Sequence, residues 1–174
     1  MSKNYGETRY RIESLSVKHD RAAFSCGVEA LDRYLQKQAG QDVSRRLAAV
    51  FVITPDGTTI AGFYTLSAHL VNLADLPENV AKKLPRYPNV PATLLGRLAV
   101  SENFRGQGIG ELLLLDALQR ALGNTREVAS AVVVVDAKDE RARGFYLRHD
   151  FIPLPMQPNR LFYPMKTIEK LFTR

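Results

Sequence analysis

"TLLGRLAV" (93–100), "RGQGIG" (105–110) and "ELLLLDALQRAL" (111–122) read as a strand, a glycine-rich junction and a helix. In the helix, Leu114, Ala117, Leu118 and Ala121 recur at i, i+3, i+4 and i+7. The first amides of a helix lack internal acceptors and the aligned peptide dipoles leave partial positive charge there, so an anion is favoured at such a start. Gly106, Gly108 and Gly110 let phosphate oxygens approach the main chain, and Arg105 adds a charge-assisted donor, so a pyrophosphate fits. A tight turn without ligand is the alternative for the hexapeptide alone. The P-loop pattern G-x-x-x-x-G-K-S/T fails, because Glu111 and Leu112 follow Gly110. The dinucleotide fingerprint G-x-G-x-x-G fails as well, because the glycines alternate.

Outward from this junction, helices and strands alternate. "VEALDRYLQKQA" (28–39) places Val28, Leu31, Leu35 and Ala39 near helical spacing, after a Phe24–Gly27 entry that offers capping groups. "LAAVFVIT" (47–54) and "TIAGFYTLSAHL" (59–70) predict a hairpin turned at Pro55-Asp56-Gly57. Pro77, Pro85, Pro88 and Pro91 predict a loop over 76–91 with one short helical turn. "AVVVVD" (131–136) has the unbroken apolar run of a central strand covered on both faces. "KDERARGFYLRH" (138–149) returns to helical spacing, with Ala142, Phe145, Tyr146 and His149 on one stripe, and "RLFYPMK" (160–166) reads as a final strand. The class is α/β with a mixed sheet, expected as a single domain over 1–174.

The 174 residues are 45% hydrophobic, enough for one sizeable core. No apolar run approaches the roughly 18 residues that span a bilayer, and the first residues show no secretory signal, so a cytoplasmic protein without membrane contact is expected. Cys26 is the single cysteine and reads as a small buried apolar residue. No metal site is expected. The formal charge of +6 is localised: Lys82, Lys83, Arg86, Arg97 and Arg105 cluster with only Glu102 opposing them, which makes a polyanionic partner plausible.

The junction resembles the acyl-CoA loop of the GNAT N-acetyltransferases, in which Arg or Gln is followed three residues on by Gly and five on by Gly or Ala. "RLAV", "AVVVVD", the Phe145-Tyr146 pair and "HDF" (149–151) follow that family's order of elements. Within it, "LDRYL", "YTLS", "GRLAV" and "VDAKDE" look most like the acetyltransferase toxins paired with ribbon-helix-helix antitoxins. The resemblance implies a GNAT-like, mostly antiparallel sheet flanked by helices. It implies acetyl-CoA as donor, aminoacyl-tRNA as acceptor with translation blocked, an antitoxin partner and a possible homodimer. It places the diphosphate on Arg105, Gly106, Gln107, Gly108, Ile109 and Gly110, the pantetheine arm on the backbone of Leu98, Ala99 and Val100, and the catalytic tyrosine at Tyr146. Asp150 departs from the pattern, standing where the family carries Gly; Asp tolerates the left-handed backbone better than most residues.

Acetyl transfer needs a neutral amine, a donor to the oxyanion and a proton for the departing thiolate. Tyr146 would supply the proton and a backbone N–H near Val100 the oxyanion contact. His19, His69 and His149 lie in no acid/base motif, and no general base is nominated. An α-amine, titrating near 8, is appreciably neutral without help, whereas a lysine near 10.4 is not, and this favours an α-amine acceptor. Lys37, Arg45, Arg46, Lys82, Lys83, Arg86 and Arg97 are the candidates for contact with RNA phosphates. Two rivals stay open: acetylation of a protein N-terminus or small amine, and a non-catalytic basic binding module.

Overall fold

The computed structural model describes residues 3–4 and 10–173. In chain order the elements are β1 (Lys3–Asn4), β2 (Arg11–Ser14), α1 (Glu29–Arg33), a π-helical turn (Tyr34–Gln38), α2 (Ala39–Ser44), β3 (Ala49–Thr54) and β4 (Gly62–Asn72). Then come α3 (Glu78–Ala81), β5 (Asn89–Val100), α4 (Ile109–Asn124), β6 (Val132–Asp136), α5 (Glu140–Arg148), β7 (Ile152–Leu154), β8 (Gln157–Pro164) and α6 (Met165–Phe172). The eight strands follow the order β1-β2-β3-β4-β5-β6-β8-β7. β5 and β6 run parallel, while β2–β3, β3–β4, β6–β8 and β7–β8 are antiparallel. The mixed, mostly antiparallel sheet agrees with the sequence. Among the described residues no helix is long and apolar enough to cross a membrane.

The chain divides into two compact units, 1–67 with 96–117 and 68–95 with 118–174. In the first, Val50 and Val52 of β3 pack with Phe63 of β4, Leu35 and Ala39 of the first helical segment, and Ala99 of β5. Phe24 meets Phe63 edge to face at 5.4 Å, a pairing that adds roughly 0.5–1.5 kcal/mol beyond the area buried. The predicted hairpin closes on Asp56, whose carboxylate accepts from the amides of Thr58 and Thr59 and from both flanking threonine hydroxyls. The Thr59 and Thr58 amides, in that order, hold this exposed carboxyl down at about 2.

In the second unit, Val71, Val90, Ala92, Val132, Val134, Leu154 and Phe162 form the core. Val132 through Val135 are all buried, the signature of an interior strand. The 76–91 segment contains the one short helix foreseen, α3, but β5 begins at Asn89, earlier than the strand read at 93.

Three local expectations differ. The helix read over 28–39 runs on to Ser44 through the π turn. Val28 has no side-chain cap; instead Asp32 reaches back and accepts from the Cys26 amide at 2.8 Å. The strand read over 160–166 ends at Pro164, and Met165 starts a helix that buries Met165 and Ile168, one turn apart.

Candidate active site

In the first unit, the glycine junction forms with Gly106 and Gly108 at φ of +76° and +75°, a backbone that favours glycine. A Cβ at either would meet nothing within 4 Å, so the main chain lies open on that side. Ser101 and Glu102 spend their amides on the carbonyls of Ala61 and Ser25, at 2.8 Å each, and these bonds fix the start of the loop. The first amide to turn into α4 is that of Leu112, which donates to Gly108 at 3.1 Å. Among the described residues, no backbone carbonyl accepts from the amides of Gly106 through Gly110. A row of open amides at the start of a 16-residue helix is suited to an anion.

The loop is held by three side-chain contacts. Arg105 donates from Nη2 to the Cys26 carbonyl at 2.6 Å. Gln107 accepts from the hydroxyl of buried Tyr10 at 2.7 Å. Ile109 is buried and, with Leu113, closes on Gly62, where a Cβ would lie 2.9 Å from Leu113 Cδ1 and 2.8 Å from the Ala99 carbonyl oxygen. Gly62 therefore brings the head of α4, β4 and the end of β5 together. β5 itself pairs with β6 only through Leu95, opposite Val135, and then runs on to Val100. Among the described residues Leu98, Ala99 and Val100 pair with no residue of β6, and an extended ligand can hydrogen-bond to such a strand end as an added strand.

Arg97, on this same strand end, is half-buried with its Cζ 3.6 Å above the centroid of the Tyr34 ring. Tyr34 lies in the π turn, stacks on Phe63 at 6.2 Å and donates its hydroxyl to Asp42 Oδ2 at 2.8 Å. Gln38 donates to the other oxygen, Oδ1, at 3.0 Å. The bond from Gln38, then that from Tyr34 and the charges of Arg97 and Arg45, hold the Asp42 carboxyl below its usual range against desolvation. Burial, and then the bond to Asp42, push the Tyr34 phenol up to about 12.

In the second unit, Tyr146 is buried on α5, 7% exposed, between Phe145 and Phe151 with ring centroids at 5.3 Å from each. Burial raises its pKa well above that of a free phenol, so the hydroxyl stays protonated. Among the described residues that hydroxyl has no hydrogen-bond partner. The helix ends at Arg148, and two residues on Asp150 takes the left-handed conformation, with φ of +70°. The Phe151 amide then bonds back to the Tyr146 carbonyl at 3.1 Å, and this turn fixes the tyrosine's end of the helix.

The remaining cations fall in two groups. Lys37, Arg45 and Arg46 are exposed on the first unit, around the π turn and the end of α2. Lys82, Lys83 and Arg86 are exposed on the second, after α3. The histidines have structural partners. His19 is buried, accepts from the Ser16 amide at Nδ1 and lies 2.8 Å from Glu13 at Nε2. His69 sits 3.2 Å from Arg160, which is bidentate to Asp136, and His149 packs on Phe145 at 4.8 Å. Cys26 is buried. Sequence reasoning overlooked Tyr10, Tyr34, Asp42 and Gly62. Only Gly62 carried a local signal, a glycine inside a strand pattern, which marks close backbone approach.

The chain matches the acetyltransferase (GNAT) domain over residues 46–153. It is 36% identical over 177 residues to "Probable toxin TacT" of Sinorhizobium fredii, covering 97% of this chain and 98% of that one. It is 35% identical over 157 residues to a tRNA-acetylating toxin of Mycobacterium tuberculosis, covering 90% and 93%. The solved structure of AtaT complexed with acetyl-methionyl-tRNA is similar at a TM-score of 0.87 and 32% identity, covering 94% of this chain and 99% of that one.

Proposed function

We propose that this chain, which belongs to the GNAT acetyltransferase family and takes acetyl-CoA as its donor, acetylates the α-amino group of aminoacyl-tRNA and so blocks translation. The observation that carries this reading is the row of amides from Gly106 to Gly110, unpaired among the described residues, beneath two open glycines, a concavity suited to a diphosphate. The tRNA-acetylating relative and the tRNA complex of AtaT support the acceptor.

Acetyl-CoA supplies an activated acetyl thioester. Gly106 through Gly110 hold its diphosphate, and Leu98, Ala99 and Val100 hold its arm through the main chain. The Val100 amide donates to the oxygen on which negative charge develops. Tyr146, protonated and among the described residues without a competing hydrogen-bond partner, donates its proton to the departing sulfur. No histidine is free to act as base, and an α-amine needs none, because an appreciable fraction is neutral near pH 8. Lys37, Arg45, Arg46, Lys82, Lys83, Arg86 and Arg97 contact the RNA backbone, Arg105 and Gln107 brace the loop, and Ile109 anchors it. A ribbon-helix-helix antitoxin, a homodimer and a cytoplasmic location complete the reading.

Incubation with labelled acetyl-CoA and charged tRNA, deacylated tRNA or peptides tests it. Label is expected on charged tRNA alone, recovered as N-acetylated amino acid after mild alkaline hydrolysis. Label on peptides alone, or tight RNA binding with no transfer, overturns the assignment of the acceptor.

A further inference from the structure

Arg97 has an unusual environment for a cation. Its Cζ stands over the Tyr34 ring, 3.6 Å from the centroid, and the residue is half-buried, yet among the described residues none of its N–H groups has a hydrogen-bond or ion-pair partner. The carboxylate nearest in charge, Asp42, has both oxygens occupied, one by Tyr34 and the other by Gln38. Asp42 attracts Arg97 by charge, and among the described residues no hydrogen bond or ion pair joins the two. The phenol's bond to a carboxylate also enriches the ring in electron density, which strengthens its hold on the cation above it. A guanidinium held over a ring through its central carbon, with its N–H donors unspent among the described residues, can offer a pair of them to a phosphate in two-point contact.

Resting on the aminoacyl-tRNA reading above, we infer that Tyr34 and Asp42 are positioning residues that hold Arg97 for a backbone phosphate of the acceptor RNA. The π turn contributes by placing Tyr34 and Gln38 so that both reach Asp42, across eight and four residues respectively. Arg97 then acts as a fixed donor and differs from the exposed, rotatable Lys37 and Arg45. Its contact orients the RNA, so the loss falls on KM for the charged tRNA.

The test uses the full-length protein, with charged tRNA and labelled acetyl-CoA, and measures kcat and KM as well as tRNA binding by filter retention. Arg97→Ala is expected to raise KM and the tRNA Kd about tenfold and to reduce the salt slope of binding by about one. Arg97→Lys keeps the charge without the fork and should recover only part of the affinity. Tyr34→Leu should reproduce the KM effect in the parent protein and add little to it in Arg97→Ala, because coupled residues are not additive. Tyr34→Phe keeps the ring, guards against loss of the fold and should give an intermediate KM. Equal effects of the Tyr34 change in both backgrounds, or an unchanged salt slope in Arg97→Ala, overturn the inference. If the parent protein binds charged tRNA without acetylating it, the acceptor assignment fails while the binding arm still judges Arg97; if it does not bind tRNA, both fail.

Discussion

The guanidinium of Arg105 is bonded to the carbonyl of Cys26 at 2.6 Å, across 79 residues of chain, so the arginine that opens the glycine loop clamps the segment that leads into α1. Beside this contact Gly27 has φ of +85°, and a Cβ there would lie 2.8 Å from Arg105 Nη2 and 2.9 Å from Glu102 Oε1. Gly27→Ala should thus displace Arg105 from a site it never touches as a ligand. Titration calorimetry is expected to show acetyl-CoA binding weakened about tenfold, near 1.4 kcal/mol. An unchanged Kd would detach Arg105 from the loop's geometry.

Tyr146→Phe removes one oxygen from a buried ring and should keep acetyl-CoA affinity. Turnover on charged tRNA is expected to fall by roughly 10²–10⁴, the ordinary contribution of a positioned acid. Because burial raises the phenol's pKa, Tyr146 stays protonated throughout the accessible range. In the parent enzyme kcat/KM should then rise with pH as the acceptor amine loses its proton, and show no descending limb below about pH 10. A descending limb that disappears in the Phe variant would mean the phenol titrates where its burial forbids it.

Gly62→Ala brings a methyl to 2.8 Å from the Ala99 carbonyl oxygen, a backbone atom that has no flexible side chain to move aside. Destabilisation of about 1–3 kcal/mol is expected from such overpacking, read as a lower midpoint in thermal unfolding. Since Ala99 adjoins Val100, acetyl-CoA affinity should fall in the same variant.

Asp150→Val places a β-branched residue at φ of +70°. A loss of about 1–2 kcal/mol is expected, a drop of roughly 2–8 °C in midpoint for a chain of this size, whereas Asp150→Gly should be tolerated. Equal midpoints for the two variants would show that the turn after Tyr146 is not under backbone constraint.

The glycine turn, its helix and the central valine strand were legible in the sequence because each depends on neighbours a few residues apart: alternating glycines, the Leu114–Ala121 period and the run Val132–Val135. The left-handed turn at Asp150 was legible through the family pattern. Helix α6 was obscured because "RLFYPMK" is rich in aromatics and Pro164 suggests a stop, whereas Pro164 in fact precedes the first turn of the helix. The π turn was hidden because Leu31, Leu35 and Ala39 fit a four-residue spacing with or without it. The Arg97–Tyr34–Asp42 group was invisible, since it joins residues brought together only by the packing of β5 on the first helical segment.

What Gly106–Gly110 offer a ligand is peptide groups, which every residue type carries alike. Mutation of side chains that do not brace the loop would therefore leave the donor's handle largely intact, provided that the two left-handed glycines and the contacts of Arg105, Gln107 and Ile109 persist. Descendants of this chain can vary their basic exterior and change the amine they modify without having to reinvent how the acetyl carrier is held.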